Sequence, residues 1–325
     1  MAGESFLQSW QVGKEITEGT AVAATRKYYL TGNLKRERVM NWVRVQNGTR
    51  ANTVDARLRS VSASIDAKYP LSADEMIEPL LNTITSAPGI VTALGASTWT
   101  FKPANTIDPQ TWEWYDGYRG WQARGCKTTM LKVSGTTPTD TTIDQTIWAR
   151  EAIVNALTGG LTDRTPQYIE GWETKLYIDA FGATAGTTNV PATLTAWDIT
   201  INNHLGRKLF ADNTIYAGAL PLGYLDVTAN LTFEGNASAL TEFNNWDAGT
   251  KRLVRLEFGN NGAVIGTSAL KPKISIDIPS AWDAVDLTPE DNGTKIYKFQ
   301  CNFVYDPTNS YGLQVILTSS RTAGY

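Results

Sequence analysis

The sequence predicts a mainly β protein, a β-sandwich or β-barrel module with a flanking α-helix, duplicated in tandem. Three observations predict it. Short runs rich in Val, Ile, Thr and aromatic residues alternate apolar with polar positions and are bounded by Gly, Pro, Asn or Asp. Helical periodicity appears in only two places. One stretch is also written twice: RLRSVSASIDAKYPLSADEMIE (Arg57–Glu78) aligns without a gap on GYLDVTANLTFEGNASALTEFN (Gly223–Asn244). Val61 then lies over Val227, and Ser72-Ala73 over Ser238-Ala239.

The elements follow in order. Alternation predicts strands over Leu58–Ile65, Thr98–Lys102, Lys127–Val133, Thr174–Ile178, Trp197–Ile201, Tyr224–Phe233, Arg252–Phe258, Lys273–Ile278 and Ile296–Val304. In Lys273–Ile278 the alternation is strict, so one face is buried and the other is wet or meets a partner. A helix starts at Ser72, with Ser72 as N-cap, Glu75 closing a capping box and Leu71 stapling to Met76. Met76, Ile77, Leu80, Leu81 and Ile84 form its apolar stripe, and Pro79 within it predicts a kink. A second helix runs from about Ala237 to Trp246, with Leu240, Phe243 and Trp246 at helical spacing and Gly249 as its stop. Each half therefore carries a strand, a helix and further strands. The boundary falls near Thr158–Gly171, giving modules over 1–165 and 166–325.

One segment of the first module is basic. Lys35, Arg36, Arg38, Arg44, Arg50, Arg57 and Arg59 stand against Glu37 and Asp55, a local charge of about +5. The turn Asn47-Gly48-Thr49 lies in its middle, beside Trp42-Val43-Arg44-Val45, which reads as a β-hairpin arm over about residues 32–56. The alternative is a solvated basic loop. As an arm it meets an acidic surface on a neighbouring subunit through Lys35, Arg36, Arg38, Trp42, Arg44 and Arg50.

Composition narrows the function. The formal charge of the 325-residue chain is −3, without the concentrated basic surface of a nucleic-acid binder outside that arm. Cys126 and Cys301 read as two buried thiols. MAGESFLQSWQVGKE is unlike a secretory signal, and no apolar run is long enough for a membrane helix, so a cytoplasmic origin and no membrane partner are expected. His204 is the only histidine, and no nucleophile elbow, phosphate loop or dinucleotide fingerprint occurs. We therefore expect no catalytic, cofactor-binding or metal-ligating residues, no cofactor and no enzyme activity. Eleven tryptophans leave a second class open. Trp112, Trp114, Tyr115, Tyr118 and Trp121 in TWEWYDGYRGW suit the stacking platform of a carbohydrate-binding protein, an adhesin or lectin, and equally a sheet core or an interface. An outer-membrane barrel is a third class, opposed by the missing signal and the capped helix.

Three stretches carry a family likeness. GTAVAATRKYYL (Gly19–Leu30) opens it, SVSASIDAKYPLSADEMIEPLL (Ser60–Leu81) is followed by GCKTTMLKVSG (Gly125–Gly135), and AWDITINNHLGRKLFADN (Ala196–Asn213) leads into the second strand–helix unit. In this order they resemble the tail tube (major tail) proteins of long-tailed, siphovirus-type bacteriophages, over most of the chain. The resemblance implies a tail-tube-type β module with a helix packed outside the barrel: Met76, Ile77, Leu80 and Leu81 in one half, Phe243 and Trp246 in the other. It also implies a structural virion protein, assembled in the bacterial cytoplasm into rings that stack as a hollow tube. Two modules point to a ring of three that imitates a hexamer, a true hexamer being the alternative. The implied partners are further copies of itself and the tape measure, tail tip and terminator proteins. Double-stranded DNA passes through the lumen without specific binding.

Overall fold

Alternating β-branched and aromatic residues build eighteen strands and two α-helices in the computed structural model, which describes residues 7–46, 48–259, 261–287, 290–291 and 293–325. The first half contains β1 Ser9–Lys14, β2 Arg26–Tyr28, β3 Thr31–Arg44, β4 Thr53–Pro70, α1 Ile77–Leu81, β5 Gly89–Ala93, β6 Ala96–Phe101, β7 Gln110–Tyr115, β8 Gly120–Thr136, β9 Thr142–Ala149 and β10 Glu151–Val154. The second contains β11 Lys175–Ala180, β12 Leu194–Asn202, β13 Asp226–Glu234, α2 Ala237–Asp247, β14 Arg252–Gly259, β15 Lys273–Asp286, β16 Glu290–Asp291, β17 Thr294–Phe303 and β18 Gln314–Ser319. All strands expected from alternation are present, and every pairing between strands of the two layers described next is antiparallel.

The longest sheet runs β3-β4-β9-β8-β12-β13-β17-β15, four strands from each half. The halves meet at β8–β12, where Val133 opposes Ile199 and Leu131 opposes Ile201. Two shorter sheets cover it. One is β2-β1-β7-β8-β10; the other is β11-β14-β15-β18-β6-β5. The long strands β8 and β15 belong to both layers: residues up to about Cys126 and Ser280 pair in the short sheets, and the remainder pairs in the long one. β6, from the first half, completes the short sheet of the second through β18, so the expected division near residue 165 is crossed by strand pairing.

The pairing pattern recurs. β3–β4, β4–β9, β9–β8, β8–β7, β8–β10 and β7–β1 in the first half reappear as β12–β13, β13–β17, β17–β15, β15–β14, β15–β18 and β14–β11 in the second. The register agrees with the sequence alignment that places Val61 over Val227. Ala63 opposes Ala149 in one half, and its counterpart Ala229 opposes Cys301 in the other. An irregularity interrupts β8–β9 at Thr128/Met130 and β15–β17 at Trp282/Ala284.

One apolar core lies between the layers and spans both halves. Trp197 of β12 meets Phe258 of β14 with ring centroids 6.0 Å apart. Tyr69 of β4, Tyr28 of β2 and Trp112 of β7 form a chain at 6.2 and 5.4 Å. Cys126 and Cys301 are buried free thiols, as expected. The polar face of Lys273–Ile278 is not wet. Asp277 is fully buried there, against Arg255 at 2.5 Å and Gln314 at 3.2 Å.

The first helix differs from its prediction. It starts at Met76, not Ser72, and no capping box forms. The cause is Pro79, which has no N–H. A start at Ser72 would put it mid-helix and remove a hydrogen bond. A start at Met76 puts it in the first turn, where amide hydrogens have no intrahelical acceptor. Glu75 turns instead to Arg26 and Arg164, 3.3 and 2.6 Å away. Every residue of α1 is buried, and so is its N-cap Met76; Met76, Ile77, Leu80 and Leu81 are at 0 to 4 % exposure, enclosed by the chain itself. The second helix has the expected span, capped by Asn236, whose Oδ1 accepts from Ala239 N–H at 3.0 Å. Phe243 and Trp246 pack half-buried against the core, while Leu240 is exposed and the buried residues are Ala239 and Glu242. Each helix buries one glutamate. Glu78 accepts from Tyr28 Oη at 2.5 Å and pairs with Arg321, and Glu242 meets Arg252 at 3.0 Å and Trp282 Nε1 at 3.0 Å.

Candidate functional site: a polar sheet face, a basic hairpin and two open edges

Strand alternation gives the long sheet two unlike faces. Val61, Ala63, Ile65 and Ala67 of β4 are buried, and so are Val227, Ala229, Leu231 and Phe233 of β13. The intervening residues, Ser62, Ser64 and Asp66 in β4 and Thr228, Asn230 and Thr232 in β13, face outward with small hydroxyl, amide or carboxylate groups. Charges on this face are largely neutralised across strands. Lys35 lies 2.6 Å from Asp66, Lys68 3.6 Å from Asp144 and Lys132 2.5 Å from Asp198. The hydrogen bond and charge of Asp66 raise the Lys35 pKa. Acids still outnumber bases: Glu37, Asp66, Asp144, Asp198, Asp226, Glu234 and Asp286 against Lys35, Lys68, Lys132, Lys298 and Arg207. Trp148 is the large ring here, and Arg207 stacks over it at 4.3 Å.

The basic segment is a β-hairpin. β3 and β4 pair from Thr31↔Lys68 out to Arg44↔Thr53, and Val45 N–H donates to Asn52 O at 2.9 Å near the tip. Gly48 has φ +75°, a value suited to glycine in the turn; Asn47 of that turn lies outside the described residues. Lys35, Arg36, Arg38, Trp42, Arg44 and Arg50 are all exposed, Trp42 by 59 %. Arg36, Arg38, Arg44, Arg50 and Arg59 have no ion-pair partner among the described residues, whereas Lys35 meets Asp66 and Arg57 meets Asp55. Val39, Met40, Val45, Val54 and Leu58 add exposed apolar surface. The hairpin thus combines unpaired arginines with exposed apolar side chains, a composition common at contact surfaces.

Two edges of the long sheet are open among the described residues. β3 pairs with β4 alone, and β15 beyond Ser280 pairs with β17 alone, apart from Trp246 Nε1 at 3.4 Å from Asp283 O. An open, unprotected edge is a template for pairing.

The aromatic stretch is spent on packing. Trp112 is buried, and Trp10 stacks on Trp114 at 5.3 Å and meets Trp112 edge-on at 6.2 Å. Trp121 is covered by Arg119 at 4.2 Å and donates to Asp116. Tyr118 is the strongly exposed ring of the set. His204, with φ +43°, pairs with Asp226 at 2.9 Å on the surface. Titratable groups concentrate around Glu75 and Glu78, which Arg26, Arg164 and Arg321 enclose, and burial pushes the Glu75 pKa up to about 7. No group of three or more His, Cys, Asp or Glu suited to a metal occurs among the described residues. No described helix is long and apolar enough to cross a membrane.

Sequence reasoning found the hairpin. It missed the two edges and the shared face, because pairing between distant strands leaves no local signal. Comparison with protein-family models and with curated proteins returns no match.

Proposed function

We propose that this chain is a tail tube protein of the long-tailed bacteriophage type. It assembles head to tail into rings of three, the rings stack into a hollow tube, and DNA passes through the bore during ejection. The observation that carries the reading is the eight-stranded sheet to which each half gives four strands in the same order, with a polar, ion-paired face and an open edge at either end. Such a sheet is suited to joining end to end around an axis, with its apolar face covered by the chain's own short sheets.

Strand spacing bears on the copy number. Two copies supply sixteen strands, a circumference of about 77 Å at about 4.8 Å per strand, and a bore of about 14 Å after side chains. Three copies supply twenty-four, and the bore grows to about 27 Å even with strands parallel to the axis. Tilt widens both. Three copies clear a DNA duplex whatever the tilt, whereas two do so only when strongly tilted, and three accords with the ring that two modules imply. A net acidic, lysine-quenched wall repels phosphates and lets the duplex slide, since tight binding requires Lys and Arg to neutralise phosphates. The basic hairpin then docks on the acidic body of the adjoining ring. Tape measure, tail tip and terminator proteins complete the set of partners, and the assembled protein resides in the virion.

Negative-stain electron microscopy of the purified protein at rising concentration tests this. Hollow rods or rings of uniform width with three-fold modulation are expected. Compact particles at every concentration, together with binding to a glycan array, would replace the reading with a carbohydrate-binding one.

A further inference from the structure

The intrachain seam between β8 and β12 is a template for a seam between two copies. On β8, one edge is taken by β9 and β10. The other edge holds β7 against Gly120–Cys126 and then β12 against Met130–Thr136. On β15, one edge is taken by β17 and β18, and the other holds β14 against Lys273–Ser280. Past Ser280 no strand among the described residues pairs with that second edge, although this is where β12 sits on β8. The missing strand has a counterpart in the first half. β12 corresponds to β3, which pairs with β4 as β12 pairs with β13, and whose outer edge is open.

We propose that β3 of a second copy of this chain pairs antiparallel with β15 beyond Ser280, repeating the β8–β12 seam between molecules. The repeat also fixes the register. Asn202 opposes Met130 in the intrachain seam. Asn202 corresponds to Val39 through the shared register of Val61 and Val227, because Arg38 opposes Val61 and Ile201 opposes Val227. Met130 opposes Thr146, Asp286 opposes Lys298, and the two pairs correspond through Ala149 and Cys301. Val39 of one copy therefore stands opposite Asp286 of the next, and Arg38 opposite Leu287.

Charge supports the same occupant. Lys35, Arg36 and Arg38 line the open edge of β3, and Asp283, Glu290 and Asp291, all exposed, follow the open edge of β15, with Lys295 opposite Glu290. The connection after β12 adds a second precedent. It lies over first-half strands, with Ile215 O accepting from Val61 N–H at 2.8 Å, Ala217 O from Arg150 Nε at 2.8 Å and Leu220 O from Lys127 Nζ at 3.1 Å. Its counterpart after β3 is the tip of the basic hairpin, left free by the seam to meet the adjoining ring. The seam is head to tail, so one copy always offers a free edge, and closure after a few copies gives a ring. The inference deepens the ring reading above, and only closure depends on it.

Cysteine cross-linking tests the register. Residues directly opposite in an antiparallel pair have Cα atoms about 4.5–5.5 Å apart, within disulfide reach. Chains carrying Val39→Cys and chains carrying Asp286→Cys, mixed under mild oxidation, should give a dimer on a non-reducing gel, while neither alone should. Arg38→Cys with Leu287→Cys should also cross-link; Val39→Cys with Asp283→Cys should do so about tenfold less. The buried native thiols at Cys126 and Cys301 supply little background. Arg36→Glu with Arg38→Glu should cut the yield about tenfold, and Glu290→Lys with Asp291→Lys on the partner chain should restore it. Self-linking of the Val39→Cys chain, or no mixed dimer with either designed pair, overturns the seam. Electron microscopy of the same samples separates the two proposals. Hollow rods without the mixed cross-link would overturn the seam and leave the tube. Cross-linked open fibres without a bore would overturn the tube and leave the seam.

Discussion

Ile199→Ala at the join between the halves tests whether the chain folds as one unit. Ile199 is fully buried on β12, opposite Val133 of the first half and Ala229 of the second. Alanine removes three carbons, worth about 2.4 kcal/mol of transfer free energy at about 0.8 kcal/mol each. The cavity left after incomplete collapse adds about 1 kcal/mol, for a loss of about 3 kcal/mol, inside the range for buried Ile→Ala. The neighbouring Thr200 faces outward, so Thr200→Ala should cost less than about 0.5 kcal/mol. Urea unfolding followed by far-UV circular dichroism and tryptophan fluorescence gives the loss, and hydrogen exchange shows where it falls. Amides of β9 in the first half and β17 in the second should lose protection together, because both belong to the sheet that the seam completes. A loss under about 1 kcal/mol, or β17 opening while β9 stays protected, would refute a single cooperative unit and restore two independent domains.

Two other perturbations have definite directions. Burial, opposed by Arg26 and Arg321 and aided by Glu78 and Asp74, raises the Glu75 pKa to about 7. The folded protein therefore holds this proton more tightly than the unfolded chain. The stability this provides is complete below about pH 4.5 and lost as pH rises through 7, about 3 kcal/mol in all. Thermal melts at pH 5 and pH 8 should show that fall in the parent and a smaller one in Glu75→Gln; equal falls would remove Glu75 as the cause. Burial raises Glu15 and Asp108 in the same direction, which is why the comparison is made against the variant. Reversing Arg36, Arg38 and Arg44 to Glu should leave the melting temperature within about 2 °C, since all three are exposed and unpaired, while rod formation fails; normal rods would exclude the arm from assembly.

Local features were legible in the sequence to the extent that their causes were local. Strand alternation marked β4, β12, β13 and β17 because each has one buried face. It misread Lys273–Ile278, where both faces are buried and Asp277 is carried inside by Arg255, a pairing made twenty-two positions away in the chain. The capping box failed because Pro79, four residues past Glu75, outweighed Ser72 in placing the helix start. Short strands such as β2 and β10 have too few residues for a period and exist through their neighbours. The basic hairpin was visible as composition plus a turn. The edges that give it meaning were not, since an edge is defined by the strand that is missing beside it.

The divergence of the two halves has a physical use. A sheet made of two similar units could join in wrong combinations, with β12 of one copy meeting β15 of another and growth stopping at a mismatched edge. Charge opposes this. At the intrachain seam the base is on β8 and the acid on β12, Lys132 facing Asp198. At the proposed seam between copies the order is reversed: acids follow β15, and Lys35, Arg36 and Arg38 line β3. A β12 strand brought to β15 would set Asp198 toward Asp286 and Glu290, and like charges across a pairing edge are destabilising. The β15 edge thus discriminates between the two strands. In the proposed ring, that selectivity would keep a fixed order of the two halves.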